Sequence, residues 1–277
     1  MGDLLDGIYG HYRALPILKE AYDLLSRHLP LPRDQISTFV VLTHTLGKSL
    51  RECGRLDEAA VVFMRGVEAQ KGLRVGTVDV LPCLGLVTVL VDTGKFAEAL
   101  LFGQEAERLI EADTEALEIG QAMVWGRQSI LWASMGAAFE GLGLWEECLE
   151  YHSKAMTLFS HKGISTPESM TSFDRAARMF CAAGDVNGAV DMLKLGLKNY
   201  KQQLNSSAGL VIASTGFMKL FPPLRQLVEL SRRSGQNEEE AATMQALEQD
   251  LDETEAIIRS LMDSALGELR DELRAEA

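Results

Sequence analysis

Five glycines divide this chain at near-regular intervals. Gly54, Gly94, Gly143, Gly184 and Gly235 each follow one helix-like apolar pattern and precede another. Their separations of 40, 49, 41 and 51 residues alternate short and long, a super-period of about 90 residues. After each of the first four the chain rewrites one phrase, "GRLDEAAVVFMRGVE", "GKFAEALLFGQEAE", "GLWEECLEYHSKAM" and "GDVNGAVDMLKLGL". A unit this short cannot cover its own apolar face, so repetition at a fixed period constrains the fold to a stack in which each copy buries its neighbour.

Within the first copy, Leu46 and Leu50 share one helical face with Gly47 between them. A glycine there costs about 1 kcal/mol of helix stability relative to alanine, a loss that is tolerable where a second helix packs too closely for a Cβ. Gly54 supplies the positive φ of a turn, and Leu56, Ala59, Ala60, Phe63 and Val67 form the apolar face of the returning helix. Later copies keep this logic in Trp132, Gly136, Phe139, Gly143 and Ala155, and in Phe173, Ala177, Phe180, Gly184, Ala189 and Gly196. Strand-like alternation is absent; β-branched runs such as "LGLVTVLV" sit inside longer helical patterns. The expected class is all-α.

A small residue seven before the turn glycine, Leu or an aromatic four before it, Ala five after it and a small residue twelve after it together resemble the tetratricopeptide repeat. Gly47, Leu50, Gly54, Ala59 and Gly66 carry the match, as do Gly136, Phe139, Gly143 and Ala155. The spacing resembles the kinesin light chain type more than the standard shorter repeat. Cys148 replaces the usual Ala, and Gly103 the usual large residue. The resemblance implies a right-handed α-solenoid of helix pairs over residues 33–204. Residues 1–32 are expected as an N-terminal capping helix, half a repeat built on Ala14, Leu18 and Ala21 and broken off by Pro30 and Pro32. Residues 205–235 are expected to hold the first helix of an irregular fifth repeat, interrupted by Pro222 and Pro223. Residues 236–277 carry Met244, Leu247, Leu251, Ile258, Leu261, Ala265, Leu269 and Leu273 at helical spacing, which predicts a long acidic C-terminal helix.

Charge separates these regions. The net charge is -13, and Gln236–Ala277 holds 13 acidic and 3 basic residues, a balance of -10 that leaves -3 for the rest. Neither nucleic acid nor an anionic membrane suits such a chain, since both want a basic stripe. No apolar run approaches the roughly 18 residues of a membrane span. The start lacks the basic and apolar regions of a secretory signal, and Asp6 stands where N-myristoylation wants Ser or Thr, so a cytoplasmic location is expected. Cys53, Cys83, Cys148 and Cys181 are scattered in apolar surroundings without a Cys-x-x-Cys pair, as buried thiols in a reducing compartment would be.

Catalytic signatures are missing. No Gly-x-Ser-x-Gly or P-loop occurs, and the Gly-x-Gly of "GLGLWEE" follows a helix, not a strand. The five histidines do not cluster with carboxylates or cysteines; His44 has no second ligand at helical spacing, and His152 and His161 lie nine residues apart across an expected helix end. Each reads as a surface or groove-lining residue. Glu146, Glu147 and Glu150 suit the positive end of a helix dipole. Neither an enzyme, a cofactor nor a metal site is therefore expected.

In tetratricopeptide arrays the first helix of each unit lines the concave groove. The resemblance therefore assigns the groove to His44, Lys48 and Arg51, then Leu84, Thr88 and Val91, then Ala133, Ala137 and Glu140, then Asp174, Arg178 and Cys181. A fifth unit in register adds Arg225, Glu229 and Arg232. This groove is apolar or small in the middle and basic at its ends, which predicts a protein partner offering an extended or helical segment with acidic flanks. A carboxylate clamp for chaperone tails is set aside, because Lys48 and Gly85 stand where Asn should be. The tail helix is read as an end cap, with folding back into the groove and self-association as alternatives. The expected function is a scaffold or adaptor; the alternative is a regulatory or sensor domain of a larger signalling protein, packed against a catalytic or nucleotide-binding domain.

Overall fold

The structure, a computed structural model, describes residues 2–71, 79–116, 121–162 and 167–183, with scattered positions between 185 and 256. Among the described residues there are helices and turns and no strand. The helices are α1 (Gly2–Ser26), α2 (Arg33–Glu52), α3 (Leu56–Ala69), α4 (Leu81–Asp92), α5 (Phe96–Ala116), α6 (Gln121–Gly141), α7 (Trp145–Lys162) and α8 (Pro167–Ala182). The chain divides into two compact units, residues 8–164 and residues 1–7 with 165–277. The boundary at 164 falls inside the stretch 33–204 that the repeat spacing treats as one array.

In the 8–164 unit the glycine-marked turns are three copies of one geometry. Gly54, Gly94 and Gly143 have φ of 73°, 75° and 73°, a region closed to most other residues. The Gly54 N–H donates to the Arg51 carbonyl at 2.9 Å and the Arg55 N–H to the Leu50 carbonyl at 2.8 Å. Gly94 and Lys95 repeat this pair of bonds to Val91 and Leu90, and Gly143 and Leu144 to Glu140 and Phe139. This is the Schellman closure, which satisfies carbonyls that the helix end orphans and reverses the chain into the next helix.

Each turn delivers a small residue into the core at the same place. Ala59, Ala99 and Cys148, each five residues past its glycine, are fully buried. The close approach inferred at Gly47 is made by Phe63, whose ring would stand 2.6 Å from a Cβ there. A Cβ on Gly85 of α4 would collide with the same ring, so one phenylalanine of α3 is seated between two glycines on α2 and α4. Leu46, Leu50, Leu86, Leu131 and Met135 extend this core across the first helices of successive pairs. Helix α1 lies antiparallel to α2: Tyr22 stacks on Phe39 with ring centres 5.7 Å apart, and His11 Nδ1 lies 2.8 Å from Ser49 Oγ.

One sequence expectation is overturned here. His152 is not a surface or groove residue; it is fully buried, with its ring against Gly136 of α6, 2.7 Å from where a Cβ would stand. Nor does a helix end separate it from His161, since α7 runs through both. Burial pushes the His152 pKa down to about 4, so the imidazole is neutral at neutral pH.

In the other unit, α8 repeats part of the pattern. Phe173, Ala177 and Ala189 are buried, the Asp185 N–H donates to the Phe180 carbonyl at 2.9 Å, and Gly196 approaches Phe173 closely. The described positions between 242 and 256 are helical, with Leu251 buried. Pro222, Pro223 and the rest of 201–241 lie outside the described residues, as do 257–277.

Candidate functional site

The candidate face is formed by the first helices of the pairs in the 8–164 unit. Helix α4 touches both α2 and α6 on this side, while α3 and α5 pack behind it. The crowding decides which predicted groove residues meet solvent. Leu84 and Thr88, expected on an open wall, are only 3% and 6% exposed. The Thr88 hydroxyl is spent inside its own helix, donating to the Gly85 carbonyl at 2.8 Å. Ala133 and Ala137 on α6 are buried as well, while Val91 and Glu140 are half-buried. A helix with neighbours on two sides and two more behind it has no broad free face, which single-helix periodicity does not register.

The polar part of the face is better assembled. His44, Lys48 and Arg51 follow one another along α2. Arg51 Nε donates to Asp92 Oδ2 at 2.7 Å, tying the end of α2 to the end of α4. His44 is half-buried with its ring centre 6.1 Å from that of Phe63. Burial and then the charge of Lys48 lower the His44 pKa, with Arg127 adding to this and Asp79 and a backbone hydrogen bond at Leu81 opposing it. His11 of α1 is likewise lowered by burial and then by Lys48, with Glu52 opposing. Lys48 itself is exposed and makes no ion pair among the described residues.

Asp79 and Arg127 join this cluster without having been singled out from the sequence. The Asp79 backbone N–H donates to Gln70 Oε1 at 2.6 Å and its Oδ1 accepts from the Leu81 N–H at 2.9 Å, which closes the connection into α4. Arg127 of α6 stands 3.9 Å from Asp79 Oδ1. An Asp shortly before "LPC" is a legible helix-start signal. Nothing local marks Arg127; only the fold brings it over α4. Glu107 of α5 was also missed: it accepts from Trp132 Nε1 at 3.2 Å and from the Tyr151 hydroxyl at 3.4 Å, joining three helices.

The remaining predicted residues belong to the other unit. Arg178 donates to Asp174 Oδ2 at 2.5 Å along α8; burial raises the Asp174 carboxyl pKa and the Arg178 partner opposes it. Arg225, Glu229, Arg232 and the Cys181 side chain lie outside the described residues. Burial pushes the Cys83 and Cys148 thiols up to about 12 and about 11 and raises Cys53 too, so these cysteines are protonated and poorly nucleophilic. Among the described residues no group of three or more His, Cys, Asp and Glu is placed to hold a metal ion. No helix among them is long and apolar enough to cross a membrane.

The chain is similar to nearly identical TPR-like repeats from Podosopora anserina, assigned to a kinesin light chain, at 17% identity and TM-score 0.52 over 80% of this chain and 98% of that one. BtubC (BKLC) from P. vanneervenii is similar at 16% identity and TM-score 0.54, over 94% of this chain and 92% of that one. The fold is a tetratricopeptide-like helical repeat. No family model and no curated protein matches the sequence. In these repeat terms α2/α3, α4/α5 and α6/α7 are three helix pairs.

Proposed function

We propose that this protein is an interaction scaffold or adaptor that holds an extended or helical segment of another protein along its first helices, without catalysis. The observation that carries the reading is Lys48: an exposed cation on the first-helix face, beside His11 and His44, that makes no ion pair among the described residues. Arg51 and Arg178 already hold Asp92 and Asp174, so they set the local field more than they capture a ligand. A partner carboxylate beside Lys48 gains a charge pair and fixes register, while the apolar centre of the segment rests on the rim at Val91. Leu84, Thr88, Ala133 and Ala137 support that rim from beneath. The thiols at Cys53, Cys83 and Cys148 are in keeping with a reducing cytoplasm, and the net charge of -13 favours a protein over nucleic acid or an anionic membrane.

The test is capture from native extract, followed by titration of the purified partner against the full chain and a Lys48→Glu variant at two salt concentrations. Affinity is expected to fall about tenfold or more on charge reversal and to weaken with salt. An affinity that ignores both changes would move binding to another face.

A further inference from the structure

The three turns of the 8–164 unit share a backbone but not a surface. Gly54 is flanked by Cys53 and Arg55, and Gly94 by Thr93 and Lys95, whereas Gly143 is flanked by Leu142 and Leu144. The residue that opens the second helix is Leu56, Phe96 and Trp145 in turn. Leu56 and Phe96 are half-buried against the core, and Phe96 lies against Gly141 at the end of the next first helix. Trp145 is 57% exposed, beside Leu142 at 43% and Leu144 at 42%. Three large apolar side chains are thus exposed within four residues, on a turn held by two backbone hydrogen bonds, where a single exposed side chain would need no explanation.

Its surroundings say what covers it. Residues 140–150 contain Glu140, Glu146, Glu147 and Glu150 and no Lys or Arg. Glu146 and Glu147 are exposed directly after Trp145, and Glu150 is paired with Lys154 at 2.6 Å; Lys95 stands on the neighbouring turn. A second copy whose two-fold axis passed through the Trp145 turn would bring Glu146 and Glu147 against their own counterparts, a like-charge contact that such an interface avoids. The complementary occupant has an aliphatic or aromatic side chain for the apolar tip and Lys or Arg for the carboxylates.

We infer that the turn between α6 and α7 is a docking point for a basic, apolar segment of another protein, separate from the first-helix face. Trp145 is its anchor, a rigid aromatic exposed beside two leucines and followed directly by the exposed Glu146 and Glu147. The other two turns supply mild replacements: Leu142→Thr, Leu144→Lys and Trp145→Leu together put Thr93, Lys95 and Leu56 into the equivalent places.

Peptide display on the full chain tests this, with the combined turn variant and Lys48→Glu as comparison targets and thermal melts to confirm folding. The expected result is a peptide family with Lys or Arg beside Leu, Phe or Trp that loses about tenfold or more in affinity on the turn variant and none on Lys48→Glu. Peptides that ignore the turn variant overturn the inference and leave the first-helix reading standing; so do acidic peptides at the turn. A dimer that the turn variant splits in sedimentation also overturns it, because a second copy then covers the turn. If the variant melts early, hydroxyl-radical footprinting of the unaltered chain decides: the selected basic peptide must protect Trp145, and a Trp145 left unprotected sinks the proposal.

Discussion

The first and third helix pairs fill the same slot with different rings. Phe63 and His152 both stand nine residues after their turn glycines, and each lies against the glycine seven residues before its own turn, Gly47 or Gly136. The second pair inverts the arrangement, with Val87 on the first helix and Gly103 on the second; Met135 of α6 approaches Gly103 instead, 3.0 Å from where a Cβ would stand. Bulk and absence of bulk thus trade places between the two helices of a pair while the slot stays filled. A repeat conserves a volume, and the side chain that supplies it is free to change its chemistry. The change has consequences, because a phenyl ring is indifferent to pH and a buried imidazole is not.

The widest separation comes from emptying the first slot. Phe63→Ala leaves a cavity bounded by Gly47 and Gly85, which cannot collapse without shifting two helices, and should cost about 3–5 kcal/mol in urea unfolding. The His152 slot should respond to acid. Its folded pKa of about 4 lies below the ordinary histidine value near 6.5, so the unfolded chain binds the extra proton and stability falls as pH drops from about 6.5 to 4. The full loss is about 3 kcal/mol, complete below pH 4. Denaturation at pH 7.5 and pH 5 measures the slope, and His152→Phe should remove its share; an unchanged slope would break the comparison. Gly47→Ala pushes a methyl group into the Phe63 ring and should cost about 1–3 kcal/mol, outweighing the gain of up to about 1 kcal/mol in helix propensity. The smallest effect concerns a tie near the third pair that the first lacks. Glu107→Gln weakens the bonds from Trp132 and Tyr151 and should cost about 1 kcal/mol, read from the same unfolding curves.

Much of the architecture was legible because its signals are local. A Schellman turn needs a residue at positive φ, and glycine at Gly54, Gly94 and Gly143 announces it. A helix that must approach another announces this with Gly47, Ala59 and Gly136. The candidate site was legible only in part. Lys48 and Arg51 were singled out because the resemblance puts their helical face toward the groove. Leu84 and Thr88 were misjudged as open because one helix pattern says which residues share a face, not how many neighbours crowd it. His152 was misjudged because a polar residue type outweighed its register, which is that of Phe63. Arg127 and Glu107 gave no local sign, since their partners lie on other helices.

By itself, the sequence determined the helix-turn-helix unit, its repetition and the excess of acid toward the end of the chain, all properties of residues near one another. The tertiary structure alone decided which side chains are dry and which charges are already paired. Burial of Leu84 follows from the crossing of α2, α4 and α6, the commitment of Arg51 from the arrival of Asp92, and the availability of Lys48 from the lack of any such arrival among the described residues. Exposure and pairing depend on the distance between segments far apart in the chain, and that distance is set only when the helices pack.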